Sequence, residues 1–72
     1  MRLLLAEDDT SLADEMATRL RADRYSVDVS QDGEDALHLA TEGAYAAVVL
    51  DLGLPILDGV TVLSRLRAAG AR

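Results

Sequence analysis

The chain has 72 residues, half of them apolar, and 13 acidic side chains against 7 basic ones, for a net charge of −6. That balance argues against a grip on nucleic acid, which needs clustered Lys and Arg, and the sequence holds no Lys. With no Cys, it has no thiolate zinc site, no redox pair and no disulfide.

The length suits one small domain. Such a chain buries only roughly 60% of its unfolded surface and is marginal on its own. Trp and Phe are absent and Tyr25 and Tyr45 are the only aromatics, so the core must be aliphatic. No apolar run approaches the ~20 residues of a membrane span. The opening MRLLLAEDD breaks off in acids and lacks a cleavage site, so it is not read as a signal peptide. The expected location is the cytoplasm.

The elements follow one another in two alternating periods. Arg2 to Ala6, RLLLA, suits a strand buried on both faces of a parallel sheet. Thr10 to Arg24 places Leu12, Met16 and Leu20 at helical steps, with Ala13 and Ala17 beside them. Ser11 and Asp14 have the spacing of a weak capping box. Ser26 to Ser30, SVDVS, alternates like an edge strand, and Asp32-Gly33 reads as a turn. Glu34 to Thr41 forms a short helix with Ala36, Leu37 and Ala40 on one face, stopping near Gly43. Ala46 to Leu50 is a second apolar strand. Leu52 to Leu57 is a loop shaped by Pro55. Asp58-Gly59 opens a third helix with Leu63 and Leu66 inward and Gly70 at its end.

The order β-α-β-α-β-α implies a parallel sheet with helices on both faces. Right-handed crossovers then give the layout of the first half of a flavodoxin-like fold, with strand order 2-1-3. Ligands bind such sheets beyond the carboxyl ends of the strands. Glu7, Asp8 and Asp9 follow the first strand and Asp51 ends the third, so they face one crevice. Carboxylates gathered without a base repel one another, and a hard divalent cation with oxygen ligands relieves this. Asp8 and Asp51 could bind Mg2+ directly, Glu7 could hold a coordinated water, and the Gly53 carbonyl could complete the protein's share. The ligand set does not distinguish Mg2+ from Mn2+.

Each feature also has a plainer reading. Acids at strand ends often face solvent or cap the next helix, and Asp9 stands between that role and the cluster. His38 is a surface residue without a partner at ligand spacing. Asp58 is an N-cap, and Pro55 and Gly59 shape the loop. Arg65, Arg67 and Arg72 form a solvated face and tail.

LLLAEDD, then DG-x-x-AL, then VVLDLGLPILDG resembles the receiver domain of two-component response regulators over the whole chain. The form DLGLP-x-x-DG is most similar to receivers joined to a winged-helix DNA-binding domain. The resemblance implies that Asp51 is a phosphoacceptor charged by a phosphohistidine on a sensor histidine kinase. It implies that Glu7 and Asp8 form an acidic Mg2+ pocket and that Gly53 offers its carbonyl. The result would be a signalling module and not an enzyme, in a protein that regulates transcription.

Receivers of this kind have five strands, with a Thr or Ser ending the fourth and a Lys ending the fifth. Residues 1–72 hold three strands and are read as a truncated receiver. The apolar third strand, YAAVVL, then becomes an exposed edge and the first helix loses cover. Self-association by edge pairing or element exchange is expected. A phosphohydrolase is a competing reading, but such enzymes commonly place a second Asp where Gly53 stands. A purely structural helix-sheet module is another. A dinucleotide site is ruled out by the absence of G-x-G-x-x-G after the first strand.

Overall fold

The computed structural model describes residues 1–51 and 53–69. Strands β1 (Arg2–Ala6), β2 (Ser26–Ser30) and β3 (Ala47–Leu50) alternate with helices α1 (Thr10–Ala22), α2 (Gly33–Glu42) and α3 (Gly59–Ala68). The strands are parallel in the order β2-β1-β3, as the alternation of elements required. Their register sets Leu5 beside Val29 and Val49, and Ala6 beside Ser30 and Leu50.

The central strand explains the layering. Leu3, Leu4, Leu5 and Ala6 are all buried, so β1 is apolar on both sides of its pleat. On one face Leu5 packs with Val27 and with Ala17 of α1. On the other, Ala6 packs with Ala36 of α2 and with Leu54 from the loop after β3. Helix α3 lies against α2.

Each helix starts on an aspartate. Asp9, Asp32 and Asp58 accept hydrogen bonds from the amides of Leu12, Asp35 and Thr61 at 3.0, 2.7 and 2.8 Å. Each therefore satisfies one of the free N–H groups of its helix N-terminus. Asp9, not the expected Ser11–Asp14 box, caps α1. Asp32-Gly33 is a cap and a first helical residue, not a separate turn, so α2 begins one residue earlier than Glu34.

Helix α1 ends at Ala22, two residues before the expected Arg24. Its exit is a Schellman turn: Arg24 adopts φ 70°, Tyr25 N donates to Leu20 O at 3.2 Å and Arg24 N to Arg21 O at 3.0 Å. Leu20 and Tyr25 pack on the same core cluster and close the motif.

Two inward faces differ from the periodicity. In α1, Ala13 and Ala17 face the sheet, while Leu12 is 42% exposed. Small alanines let the helix axis approach the strands, and Leu12 stands about 100° around the helix from Ala13. In α3, Val62 is fully buried and Leu63 is 40% exposed, because contact with α2 selects the Val62–Leu66 row. Strand β3 starts at Ala47, not Ala46, and is only half covered. Its register puts Val49 on the face of Leu5, yet α1 lies over β1 and β2, leaving Val49 39% exposed. The expected positions of Leu52, Gly70 and Arg72 lie outside the described residues.

Candidate functional site

Adjacency of β1 and β3 decides where the acids meet. Their last register pair is Ala6 with Leu50, so Glu7 and Asp51 leave the sheet side by side. The ladder runs one residue further: Asp51 N donates to Ala6 O at 3.0 Å and Glu7 N to Ser30 O at 2.9 Å. Both backbones are thus held where their side chains converge.

Carboxylate oxygens of Glu7, Asp8 and Asp51 all lie within 4.8 Å of one another. Glu7 is buried, Asp51 half-buried and Asp8 exposed, so the cluster opens to solvent on one side. Among the described residues the one ion pair is Arg2–Asp28, and no cation reaches these three acids. Asp9 does not join them, since its carboxylate caps α1. Asp58 likewise remains a cap, held below the ordinary carboxylate range first by the Thr61 amide and then by the Thr61 hydroxyl. His38 is exposed, as expected.

The pair Glu7 and Asp51 shares the strain of this crowding unequally. Hydrogen bonding with Asp51, then burial, then the charges of Asp51 and Asp8 push Glu7 above its ordinary range. Asp51 moves the other way. The Gly53 amide donates to its Oδ1 at 3.1 Å, and this bond is the largest cause, with a proton shared from Glu7 second. The two carboxyls are thus pushed in opposite directions, Glu7 upward and Asp51 downward.

The donor set fits a divalent cation. It consists of hard oxygens from three acids, with no basic partner among the described residues and with a neighbour-raised Glu7 that a cation would relieve. Gly53 presents its amide to Asp51. A Cβ there would sit at an ordinary 3.8 Å from Asp51 Oδ1, so the residue acts through its backbone and not through its small size.

Two supporting residues had no chemical signal in the sequence. Ser30 looked like one polar step of an edge strand, yet it is 2% exposed and donates to Asp35 Oδ2 at 2.7 Å. Gly33 looked like half of a turn dipeptide, yet the loop after β3 rests on it.

The chain matches the family described as "Response regulator receiver domain" over residues 3–72. It is similar to transcriptional regulatory protein DltR of Streptococcus agalactiae, at 44% identity over 70 residues, covering 97% of this chain and 31% of that protein. Among solved structures it is similar to the receiver domain of Francisella response regulator 1452, with a TM-score of 0.93 and 32% identity, covering 96% of this chain and 57% of that one. It is also similar to the receiver domain of sensor histidine kinase PA1611 from Pseudomonas aeruginosa, with a TM-score of 0.90 and 33% identity, covering 93% and 55%. That domain has a magnesium ion coordinated in its active-site cleft. The chain spans about a third of the curated relative's length and just over half of the solved receivers. With a family match across residues 3–72 and a three-acid cluster at the carboxyl ends of adjacent parallel strands, the chain belongs to the response regulator receiver domain family.

Proposed function

We propose that residues 1–72 form the N-terminal part of a receiver in which Asp51 accepts a phosphoryl group from a phosphohistidine on a sensor histidine kinase. The observation that supports this best is the convergence of Glu7, Asp8 and Asp51 within 4.8 Å, with Asp51 oriented by the Gly53 amide. Asp8 and Asp51 would hold Mg2+ directly and Glu7 through a coordinated water, with the Gly53 carbonyl completing the protein's share. When bound, the ion supplies neutralisation of phosphoryl charge.

The residues of the chain do the rest. Asp51, whose Oδ1 accepts the Gly53 amide, offers a carboxylate oxygen to phosphorus. A P–O bond forms to Asp51 as the P–N bond to the kinase histidine breaks, and the imidazole keeps the electron pair. Phosphoryl transfer of this kind depends mainly on positioning and charge stabilisation. Glu7 and Asp8 define the polar wall of the pocket. The whole protein is read as a cytoplasmic transcriptional regulator, as DltR is a transcriptional regulatory protein. This segment, at a net charge of −6, makes no direct nucleic-acid contact in that reading. Among the described residues no helix is long and apolar enough to cross a membrane.

Intact mass after treatment with a small acyl phosphate and Mg2+ tests the assignment. One added phosphoryl group on the parent chain and none on Asp51→Asn is the expected result. Equal labelling of both removes Asp51 from the role. A second reading, a self-associating α/β module, draws on the half-bare third strand, where Val49 is 39% exposed. Its occupant would be a second copy, through edge pairing of β3 or exchange of elements.

A further inference from the structure

The acids of the cluster arrive from two different strands, yet both segments are fastened to the start of α2. On one side the Glu7 amide donates to Ser30 O at 2.9 Å. The buried Ser30 hydroxyl in turn donates to Asp35 Oδ2 at 2.7 Å and Asp32 O at 3.2 Å, at the cap and first turn of α2. On the other side the Gly33 amide donates to Pro55 O at 3.1 Å. Leu54, 5% exposed, anchors the same loop against Ala6 and Ala36.

The contact at Gly33 is unusually close. A Cβ at this position would lie 1.5 Å from Leu57 O, 2.5 Å from the Leu57 carbonyl carbon and 2.9 Å from Leu57 Cβ. Real Cβ atoms essentially never come within 3.0 Å of such neighbours. The obstacle is backbone, which cannot rotate aside as a flexible side-chain tip can. At Pro55 and Leu57 the loop therefore lies on α2 at a height that only glycine permits.

We infer that Gly33 is a positioning residue for the acidic site: its missing Cβ sets how closely the loop after β3 settles on α2, and with it the aim of the Gly53 amide at Asp51. The inference rests on the Mg2+-binding reading above for its functional consequence. With alanine at this position, the Leu57 carbonyl must retreat by about 1.5 Å to go from 1.5 Å to the 3.0 Å limit. The Gly33 amide also holds Pro55 O, two residues from Gly53, so a displacement at Gly33 is passed along a short stretch of backbone to the Gly53 amide. Supporting groups behind metal ligands commonly change affinity in this indirect way.

Gly33→Ala tests it, with Val27→Ala as a control. Val27 is a core residue on the opposite, α1 face of the sheet, so its truncation destabilises without touching the loop. The readouts are the Gly53 amide resonance in metal-free protein, Mg2+ affinity by titration, and the thermal midpoint. Gly33→Ala is expected to move the Gly53 resonance and weaken Mg2+ by about tenfold. Val27→Ala should lower the midpoint and leave the other two at parent values. A folded Gly33→Ala with the parent's Gly53 resonance and affinity overturns the inference. If Gly33→Ala does not fold, Ile56→Gly is added to give the loop a freely rotating residue. A folded double variant with a displaced Gly53 resonance supports positioning, and one with the parent resonance overturns it. Failure of both to fold assigns Gly33 to folding alone and also overturns it. A parent chain that shows no Mg2+ binding sinks the metal reading, while the metal-free resonance still judges Gly33.

Discussion

The Tyr45 hydroxyl donates to Asp28 Oδ2 at 2.7 Å, joining the approach to β3 with the middle of β2 across the width of β1. Arg2 at the start of β1 donates to the same oxygen at 2.8 Å, and its guanidinium lies 5.0 Å from the Tyr45 ring centre. One carboxylate thus ties all three strands, on residues whose sheet positions lie away from the acidic cluster. Tyr45→Phe is expected to lower stability by about 0.5–1 kcal/mol in denaturant titration, modest because the Asp28 side chain is 42% exposed.

This clamp also carries a pH signature. Asp28 is held below the ordinary carboxylate range, first by Tyr45 and then by Arg2. Its contribution is complete above an unfolded value of about 3.9 and is lost as pH falls through the lower folded value. Tyr45 is pushed above the ordinary phenol range, first by Asp28. Its contribution is complete below about pH 10 and is lost as pH rises through the higher folded value. The stability gap between parent and Tyr45→Phe should be flat between those limits and close at both ends. A gap that widens in acid would contradict the clamp.

Glu7 has the opposite sign. Its folded state holds a proton more readily than the unfolded chain, so its contribution is greatest in acid and falls as pH rises through the raised value. Glu7→Gln is expected to raise the thermal midpoint of the metal-free protein near neutrality, with the difference vanishing near about pH 4. The same substitution should weaken Mg2+ roughly 10–100-fold in a titration, as loss of a supporting group does. Unchanged affinity would remove Glu7 from the metal site.

Among the described residues, two other than glycine sit in left-handed backbone, Arg24 at φ 70° and Ile56 at φ 69°. A β-branched side chain is poorly suited to that region, and Ile56 is 75% exposed, so burial offsets little of the strain. Arg24→Gly and Ile56→Gly should each stabilise by about 0.5–1 kcal/mol, measured as an upward shift in thermal midpoint. For Arg24→Gly the Schellman bonds from Tyr25 and Arg24 remain available. A loss of stability in either variant would show that the side chain contributes more than the backbone strain removes.

Val49 leaves an uncharged patch on the half of the sheet that α1 does not cover, and Leu12 adds a second exposed apolar side chain on α1. Sedimentation over a concentration series is expected to show self-association, and Val49→Lys should shift the chain to monomer by placing a charge on that face. A parent chain that stays monomeric throughout would end the self-association reading.

Element order, the 2-1-3 sheet and the meeting of Asp8, Glu7 and Asp51 follow from local pattern alone. Alternation between apolar runs and helical periods specifies a parallel sheet, and a parallel sheet brings the ends of β1 and β3 together. Packing settles what periodicity leaves open. Ala13 and Val62, not Leu12 and Leu63, turn inward, because the neighbouring surface chooses among adjacent apolar residues. Asp9 leaves the cluster because the α1 amides claim its carboxylate first. Gly33 became a constraint only when the loop after β3 folded back to within 1.5 Å of where a Cβ would stand. Local chemistry names the elements and their acids, but distances of closest approach between segments far apart in the chain exist only in the packed molecule.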